Sequence, residues 1–268
     1  MTPFNAHATD PETFLASVDL PVSIEKAFAY HDRPGCLTRL IPPWESIEVE
    51  HSDGSLAVGS RVVVKMSLAG VPLRWHARHT RYEPPELFTD EQESGPFTSW
   101  RHRHRFTSTG PNTSRLTDEI AYQVPLGKLG TLFGGSHVRS KLDAMFAYRH
   151  RITCDDLTLT ARYHLAPLTI AVSGATGLVG SALCNLLGLL GHRVLQITRD
   201  QHGSDNEIAA WSTAQEFERF NSVDVVVHLA GKPIAGPRWT EATKQQIRDS
   251  RVEKTRSLCE RLAQLSRP

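Results

Sequence analysis

The chain has 268 residues, 40% of them apolar, which is long for one domain and enough to build the cores of two. Lys and Arg (30) nearly balance Asp and Glu (29), and a net charge of +1 gives no electrostatic case for nucleic acid or an anionic membrane as the main partner. Cys36, Cys154, Cys184 and Cys259 form no C-x-x-C pair, so neither a disulfide framework nor a structural zinc site is expected. A reducing cytoplasm fits best, and no apolar run approaches the roughly 20 residues of a membrane span.

Residues 1–11 read as a polar leader and residues 12–157 as a first domain. Phe14, Ala16, Val18 and Leu20 alternate with more polar neighbours, the period of a half-buried strand that Pro21 ends. Ser23 suits the N-cap of a short helix carrying Ile24, Ala27, Phe28 and His31, after which Pro34, Gly35, Pro42 and Pro43 interrupt the chain. Strand-like runs follow at 46–50, 61–68, 73–82, 98–107 and 114–124, separated by turn residues such as Asp53-Gly54, Pro84-Pro85 and Gly95-Pro96. The region closes with an amphipathic helix over about 129–153, with Val138, Leu142, Met145, Phe146 and Ile152 on one face. This order predicts an α+β domain in which an antiparallel sheet wraps its last helix and leaves a cavity between them.

Within the fourth of these runs, Trp100, His102, His104 and Phe106 share one face of a strand and Arg101, Arg103 and Arg105 the other. The arginines read as a solvated face paired with acidic residues on a neighbouring strand. His102 and His104 have the spacing of two metal ligands, but no third ligand is marked, since His76 and His79 lie on opposite faces of their own strand; no metal is assigned. Trp75 and Trp44 read as core. The element order resembles the helix-grip (SRPBCC or START-like) superfamily, and the run Trp100 to Phe106 followed by Thr117-Asp118-Glu119 is similar to its polyketide-cyclase-type branch. The resemblance covers residues 12–157 and implies a small hydrophobic molecule held in the cavity.

A polar stretch from Asp155 to Tyr163, closed by Ala166-Pro167, reads as a linker, with the boundary drawn over 158–167. From 168 to 268 the pattern changes to alternating strand and helix, which predicts an α/β doubly wound parallel sheet of Rossmann-like type. Thr169 to Val172 form a buried strand that runs into Gly174, Gly177 and Gly180, with a helix beginning near Thr176. Gly174 permits a tight turn, Gly177 allows a phosphate to approach the helix N-terminus, and Gly180 lets helix and strand pack closely. Strands are expected at 193–198, near 207–211 and at 223–229, and a last helix over about 240–265. After the second strand the chain reads Thr198-Arg199-Asp200; a guanidinium there suits the 2′-phosphate of NADP, while Asp200 keeps NAD as the alternative. The strand ending at Leu229 delivers the small residues Ala230 and Gly231 to the crevice beside the glycine turn.

Together with Trp239-Thr-Glu and Arg248-Asp-Ser-Arg251, these segments resemble the epimerase-like branch of the extended short-chain dehydrogenases/reductases, also described as nucleoside-diphosphate-sugar epimerase-like or short-chain dehydrogenase family 39U type. The resemblance implies NADP binding by Gly174, Thr176, Gly177, Leu178, Val179 and Gly180, by Arg199, and by Leu229, Ala230 and Gly231. Trp239, Arg248 and Arg251 also match family positions, where helix packing and surface pairing explain them equally well.

The superfamily's reductases use a Tyr-x-x-x-Lys pair and a serine for proton exchange with the substrate carbonyl. All five tyrosines precede the glycine turn, and the residues four places on are Pro34, Glu86, Leu126, Ile152 and Pro167, so no catalytic residue is assigned. The chain is expected to be the first part of a longer protein, with only the first half of the dinucleotide domain and an apolar sheet edge at 223–229. The parent is then an NADP-dependent oxidoreductase or epimerase-like enzyme; the alternative is a non-catalytic carrier, or a sensor that responds to NADP.

Overall fold

A computed structural model describes residues 10–68, 70–125, 127–163, 166–198, 205–209, 213–236 and 238–266. The chain divides into two compact units, Met1–His164 and Leu165–Pro268. Among the described residues, no helix is long and apolar enough to cross a membrane.

The first unit is one antiparallel sheet with helices. β1 (Glu12–Leu20) is followed by α1 (Ile24–Asp32), the one-turn α2 (Cys36–Arg39), β2 (Ile47–Ser52), β3 (Arg61–Leu68), β4 (Val71–Glu83), β5 (Leu87–Ser94), β6 (Ser99–Gly110), β7 (Thr113–Gln123) and the long α3 (Gly127–Tyr163). Each of β3 to β7 pairs with the strand before it in the chain, and β1 closes on β7, giving the order β1-β7-β6-β5-β4-β3-β2. Alternation does the work expected of it: along β7 the even-numbered Ser114, Leu116, Asp118, Ile120 and Tyr122 are buried. Leu142 and Phe146 of α3 pack with Phe14, Trp100, Ile120 and Tyr122 of the sheet, so the last helix covers the sheet's inner face. Burial of these large side chains, about 1.5–3 kcal/mol each, is what holds helix to sheet.

Two differences from the sequence reading share a physical reason. β5 is absent from the expected strand runs, since Asp90-Glu91-Gln92-Glu93 is polar, yet Glu93 pairs with neighbouring strands: its Oε2 accepts from Arg61 Nε at 2.9 Å and its Oε1 lies 3.5 Å from Arg78 Nε. Likewise the polar stretch taken for a linker is the end of α3. Asp156 is 2% exposed and accepts from Tyr30 Oη (2.8 Å) and from Arg39 Nε and Nη2 (2.9 and 2.8 Å), while Leu157 beside it is equally buried. Charge in these segments is compensated across space rather than hydrated.

The second unit is a parallel sheet. β8 (Thr169–Ser173), α4 (Leu178–Leu189), β9 (Arg193–Thr198), β10 (Glu207–Ala209), α5 (Ala214–Glu218), a 3-10 turn (Arg219–Ser222), β11 (Val225–His228), α6 (Glu241–Asp249) and α7 (Val252–Leu262) follow one another. The strands lie in the order β10-β9-β8-β11, all parallel, with β11 paired on one side to β8. One face carries Ala171, Leu195, Ile197 and Val226 and packs on Phe217, Phe220 and Leu258; the other carries Ile170, Val172, Val194 and Val227 and packs with Cys184 and Leu187 of α4. Both faces are therefore covered, which is why these strands read as near-continuous apolar runs. The single final helix expected from the sequence is two helices. Ser250 and Arg251 between them turn to hold the loop at 232: Lys232 N donates to Ser250 Oγ (2.9 Å) and Arg251 Nη1 to the Lys232 carbonyl (3.0 Å). The residues near 211 and the pair 199–200 lie outside the described residues.

Candidate functional site

In the second unit, β8 ends in Ser173 and the chain turns sharply at Gly174, whose φ of +69° only glycine adopts without strain. A Cβ at Gly174 would stand 2.9 Å from the backbone of Leu229 and Ala230; one at Gly180 would stand 2.0 Å from the Gly174 carbonyl oxygen. No side chain caps the N-terminus of α4, where Gly177 takes an extended conformation. Thr176, Gly177, Leu178 and Val179 are exposed, Leu178 at 91%, so the first turn of a 12-residue helix presents free N–H groups to solvent beside the turn. Gly180 is buried. Seven of the predicted cofactor residues, Gly174, Gly177, Leu178, Val179, Gly180, Leu229 and Ala230, thus belong to one crevice edge. Thr176 sits within the turn, and Gly231 follows at the mouth, where a Cβ would come 3.3 Å from the Arg251 guanidinium. Arg199, on which the choice of NADP rests, lies outside the described residues.

Two residues that sequence reasoning passed over fasten this crevice. Ser173 Oγ accepts from Leu229 N (3.1 Å) and Ala230 N (3.2 Å) and lies 2.6 Å from His228 Nδ1. With both lone pairs engaged, the hydroxyl gives its proton to Nδ1, which leaves the imidazole proton on Nε2. That Nε2 is buried without a hydrogen-bond partner, and burial lowers the pKa of His228, so the ring is a neutral donor. Arg251 and Trp239 serve the neighbouring loop, Trp239 Nε1 donating to the Ile234 carbonyl (3.1 Å), as the packing explanation of these residues has it.

The first unit encloses a cavity of about 610 Å³ within the range of small-molecule sites. Val62, Val64, Met66, Trp75, Leu142 and Met145 give it apolar walls; Trp75 packs against the core as expected and also lines the cavity, whereas Trp44, 58% exposed, is not core. The polar end is built by β5, β6 and β7. His102 and His104 face inward from β6 as their alternation requires, and Arg103 on the outer face pairs with Glu119 (3.1 Å), as expected of the arginines. Across the ladder His102 stands opposite Asp90 of β5, and His104 opposite Asp118 of β7.

Asp118, 2% exposed, is the hub. Its Oδ1 accepts from His102 Nε2 (2.9 Å) and its Oδ2 from His150 Nε2 of α3 (2.6 Å); His104 Nδ1 comes within 2.7 Å of Oδ1, at an angle too poor for a hydrogen bond, and interacts with it as charge. Burial opposes ionisation of Asp118, but the charge of His104 and the donors around the carboxylate outweigh it and hold its pKa well below the usual range. His104 is raised, because Asp118 and Asp90 outweigh its burial, whereas burial and the neighbouring His104 lower His102. Arg149 lines the same cavity, and its Nε is buried without a partner. Asp90 and His150 carried no signal in the sequence that set them apart.

The comparisons with known proteins divide at the same place as the fold. Residues 20–146 match the family described as polyketide cyclase / dehydrase and lipid transport, and residues 170–267 match the NAD dependent epimerase/dehydratase family. An epimerase family protein of Mycobacterium bovis is 38% identical over 96 residues, 35% of this chain and 32% of the relative. The epimerase family protein SDR39U1 of Bos taurus is 34% identical over 103 residues, 38% of this chain and 34% of the relative. A solved nucleoside-diphosphate sugar epimerase from Corynebacterium glutamicum is similar over 95% of this chain and 52% of its own, with 28% identity and a TM-score of 0.71. The chain spans about a third of the length of the curated relatives it matches.

Proposed function

In a chain that joins a polyketide-cyclase/START-like domain to an epimerase-like domain, we propose that the second unit is a Rossmann-type NADP site and the first unit a receptor for a small hydrophobic molecule. The observation that carries the reading is the glycine turn: a Cβ at Gly180 has no room against Gly174, and the helix that Gly180 lets in so close leaves its N-terminal N–H groups uncapped. The parallel order β10-β9-β8-β11 supports it, since this is the third-second-first-fourth order of a dinucleotide fold, with the crevice at the carboxyl end of the first strand.

In this reading the N–H groups of Leu178 and Val179 take the pyrophosphate and Gly177 lets it approach. Ala230 and Gly231 would leave room for the nucleoside, while Ser173 fixes the backbone of Ala230. Arg199 takes the 2′-phosphate. Bound NADP supplies a hydride-exchanging nicotinamide. The chain carries no Tyr-x-x-x-Lys pair, so its own residues bind and orient the dinucleotide without providing the proton step. The activity we propose for the whole protein is that of an epimerase-like oxidoreductase acting in the cytoplasm. The same missing pair favours, as the second reading, a carrier or sensor in which dinucleotide binding reports on the NADP pool.

Isothermal titration of the full chain with NADPH and NADH tests this, alongside Arg199→Ala. The expected result is saturable NADPH binding that Arg199→Ala weakens far more than NADH binding. Equal losses for the two cofactors refute the NADP assignment, and no binding of either refutes the site.

A further inference from the structure

We propose that Asp90, His102 and His104 form a binding site for a first-row divalent metal ion of the zinc class, with Asp118 holding the histidines from behind and the remaining coordination position open to the cavity.

The geometry points to it. Asp90 Oδ2 lies 3.5 Å from His102 Nδ1 and 3.5 Å from His104 Nε2. Those separations are long for hydrogen bonds, and all three ligand atoms lie within 4.8 Å of one another. Atoms bound tetrahedrally to zinc at about 2.1 Å stand about 3.4 Å apart. The spacing between the two histidines and the carboxylate is therefore that of ligands around an ion, set by a rigid ladder: Asp90 opposite His102 across β5 and β6, and His104 two residues on, on the same face.

The hydrogen bonding supplies a second, independent observation. His102 Nε2 must donate to the Asp118 carboxylate, so the neutral ring turns the lone pair of Nδ1 toward the oxygen of Asp90. His104 stands between the same two carboxylates, its Nδ1 2.7 Å from Asp118 without hydrogen-bond geometry and its Nε2 3.5 Å from Asp90. The His102 lone pair directed at the Asp90 carboxylate is repelled by it unless a positive charge stands between them. A carboxylate behind a ligating histidine is the common device for fixing its tautomer and raising its basicity. Asp118 does this for His102, lies beside His104 Nδ1, and is itself anchored by His150 from α3 (2.6 Å). Asp90, His102 and His104 all line the cavity, so an ion there would offer a Lewis-acid position to a carbonyl or hydroxyl of the hydrophobic ligand.

The inference concerns the first unit and stands whether or not the second binds NADP. Untagged full chain, stripped with chelator, is titrated with Co2+ and followed by its visible d–d bands, then with Zn2+ in competition. About one equivalent is expected. Asp90→Asn and His104→Ala lose the bands, Asp118→Asn weakens affinity by about 10–100-fold, and His51→Ala, at an exposed ion pair, binds as wild type. Imidazole nitrogen NMR of the unaltered chain guards against misfolded variants: Zn2+ shifts His102 Nδ1 and His104 Nε2 and leaves His102 Nε2 in place. No d–d bands, variants that bind like wild type, or a spectrum with protons on both His102 Nδ1 and His104 Nε2 that Zn2+ does not displace would each overturn the proposal and leave a proton in the place of the metal.

Discussion

A methyl group on Gly180 would stand 2.0 Å from the carbonyl oxygen of Gly174, six residues earlier, and 3.0 Å from the Cα of Ala175. The obstacle is backbone on both sides, which cannot move aside as a side-chain tip would. Gly180→Ala should therefore destabilise the second unit by about 1–3 kcal/mol, the usual range for overpacking, and abolish nucleotide binding. Gly188, in the same helix, has nothing within 4 Å of its added Cβ. Gly188→Ala should stabilise by about 0.5–1 kcal/mol through helix propensity alone. Urea unfolding of the two variants checks both signs, and equal effects would show that the close approach is not there.

Ser173→Ala removes one hydroxyl and strands two groups, the N–H of Ala230 and Nδ1 of His228, while the N–H of Leu229 keeps the Ser173 carbonyl (3.2 Å). Leaving a buried polar group unpaired costs about 1–3 kcal/mol, and more than one group is affected here. The expected result is a loss within that range in urea unfolding, with faster amide exchange at Ala230 than at Leu229, whose N–H keeps the Ser173 carbonyl. Ser173→Thr, which keeps the hydroxyl, should recover part of the loss. Unchanged exchange at Ala230 would mean that the backbone hydrogen bonds of β11 suffice to hold the crevice.

The third prediction concerns pH. His31 is buried, and its pKa is pushed down to about 4 by burial, with Nδ1 bonded to the Ala27 carbonyl (2.9 Å). The unfolded chain binds this proton at about 6.5. Since the folded value is the lower one, the stabilising contribution is complete above about pH 6.5 and is lost as the pH falls toward 4, to the extent of about 3 kcal/mol. Wild type should lose that much more than His31→Phe between pH 7 and pH 4 in chemical unfolding. Taking the difference between the two proteins removes the contributions of His79 and His102, which have the same sign, and of His104, which has the opposite one. Parallel pH profiles would place a proton on His31 in the folded protein.

Local pattern carried a good part of this molecule. Alternation put Trp100, His102, His104 and Phe106 on one face and the arginines on the other, because a strand's side-chain period of two follows from backbone geometry and needs no partner. The glycine turn was legible for a similar reason: positive φ at Gly174 and the room required at Gly180 are demands that only one residue type meets cheaply. Burial of both faces of β8 was written in its unbroken apolar run.

What only the tertiary structure decided is where polar groups find their partners. Asp90 and Asp156 look alike in the sequence to Glu91 and Asp155 beside them, and composition marked no strand at the first and a linker at the second. Asp90 is set against His102 by strand register, and Asp156 is met by Tyr30 and by Arg39, 117 positions earlier. Ser173 and His228 meet across 55 positions because β11 enters the sheet beside β8. A charge or hydroxyl has no preferred period along the chain; its cost of burial is offset by whatever the fold brings within about 3 Å, and that contact exists only once the strands have paired.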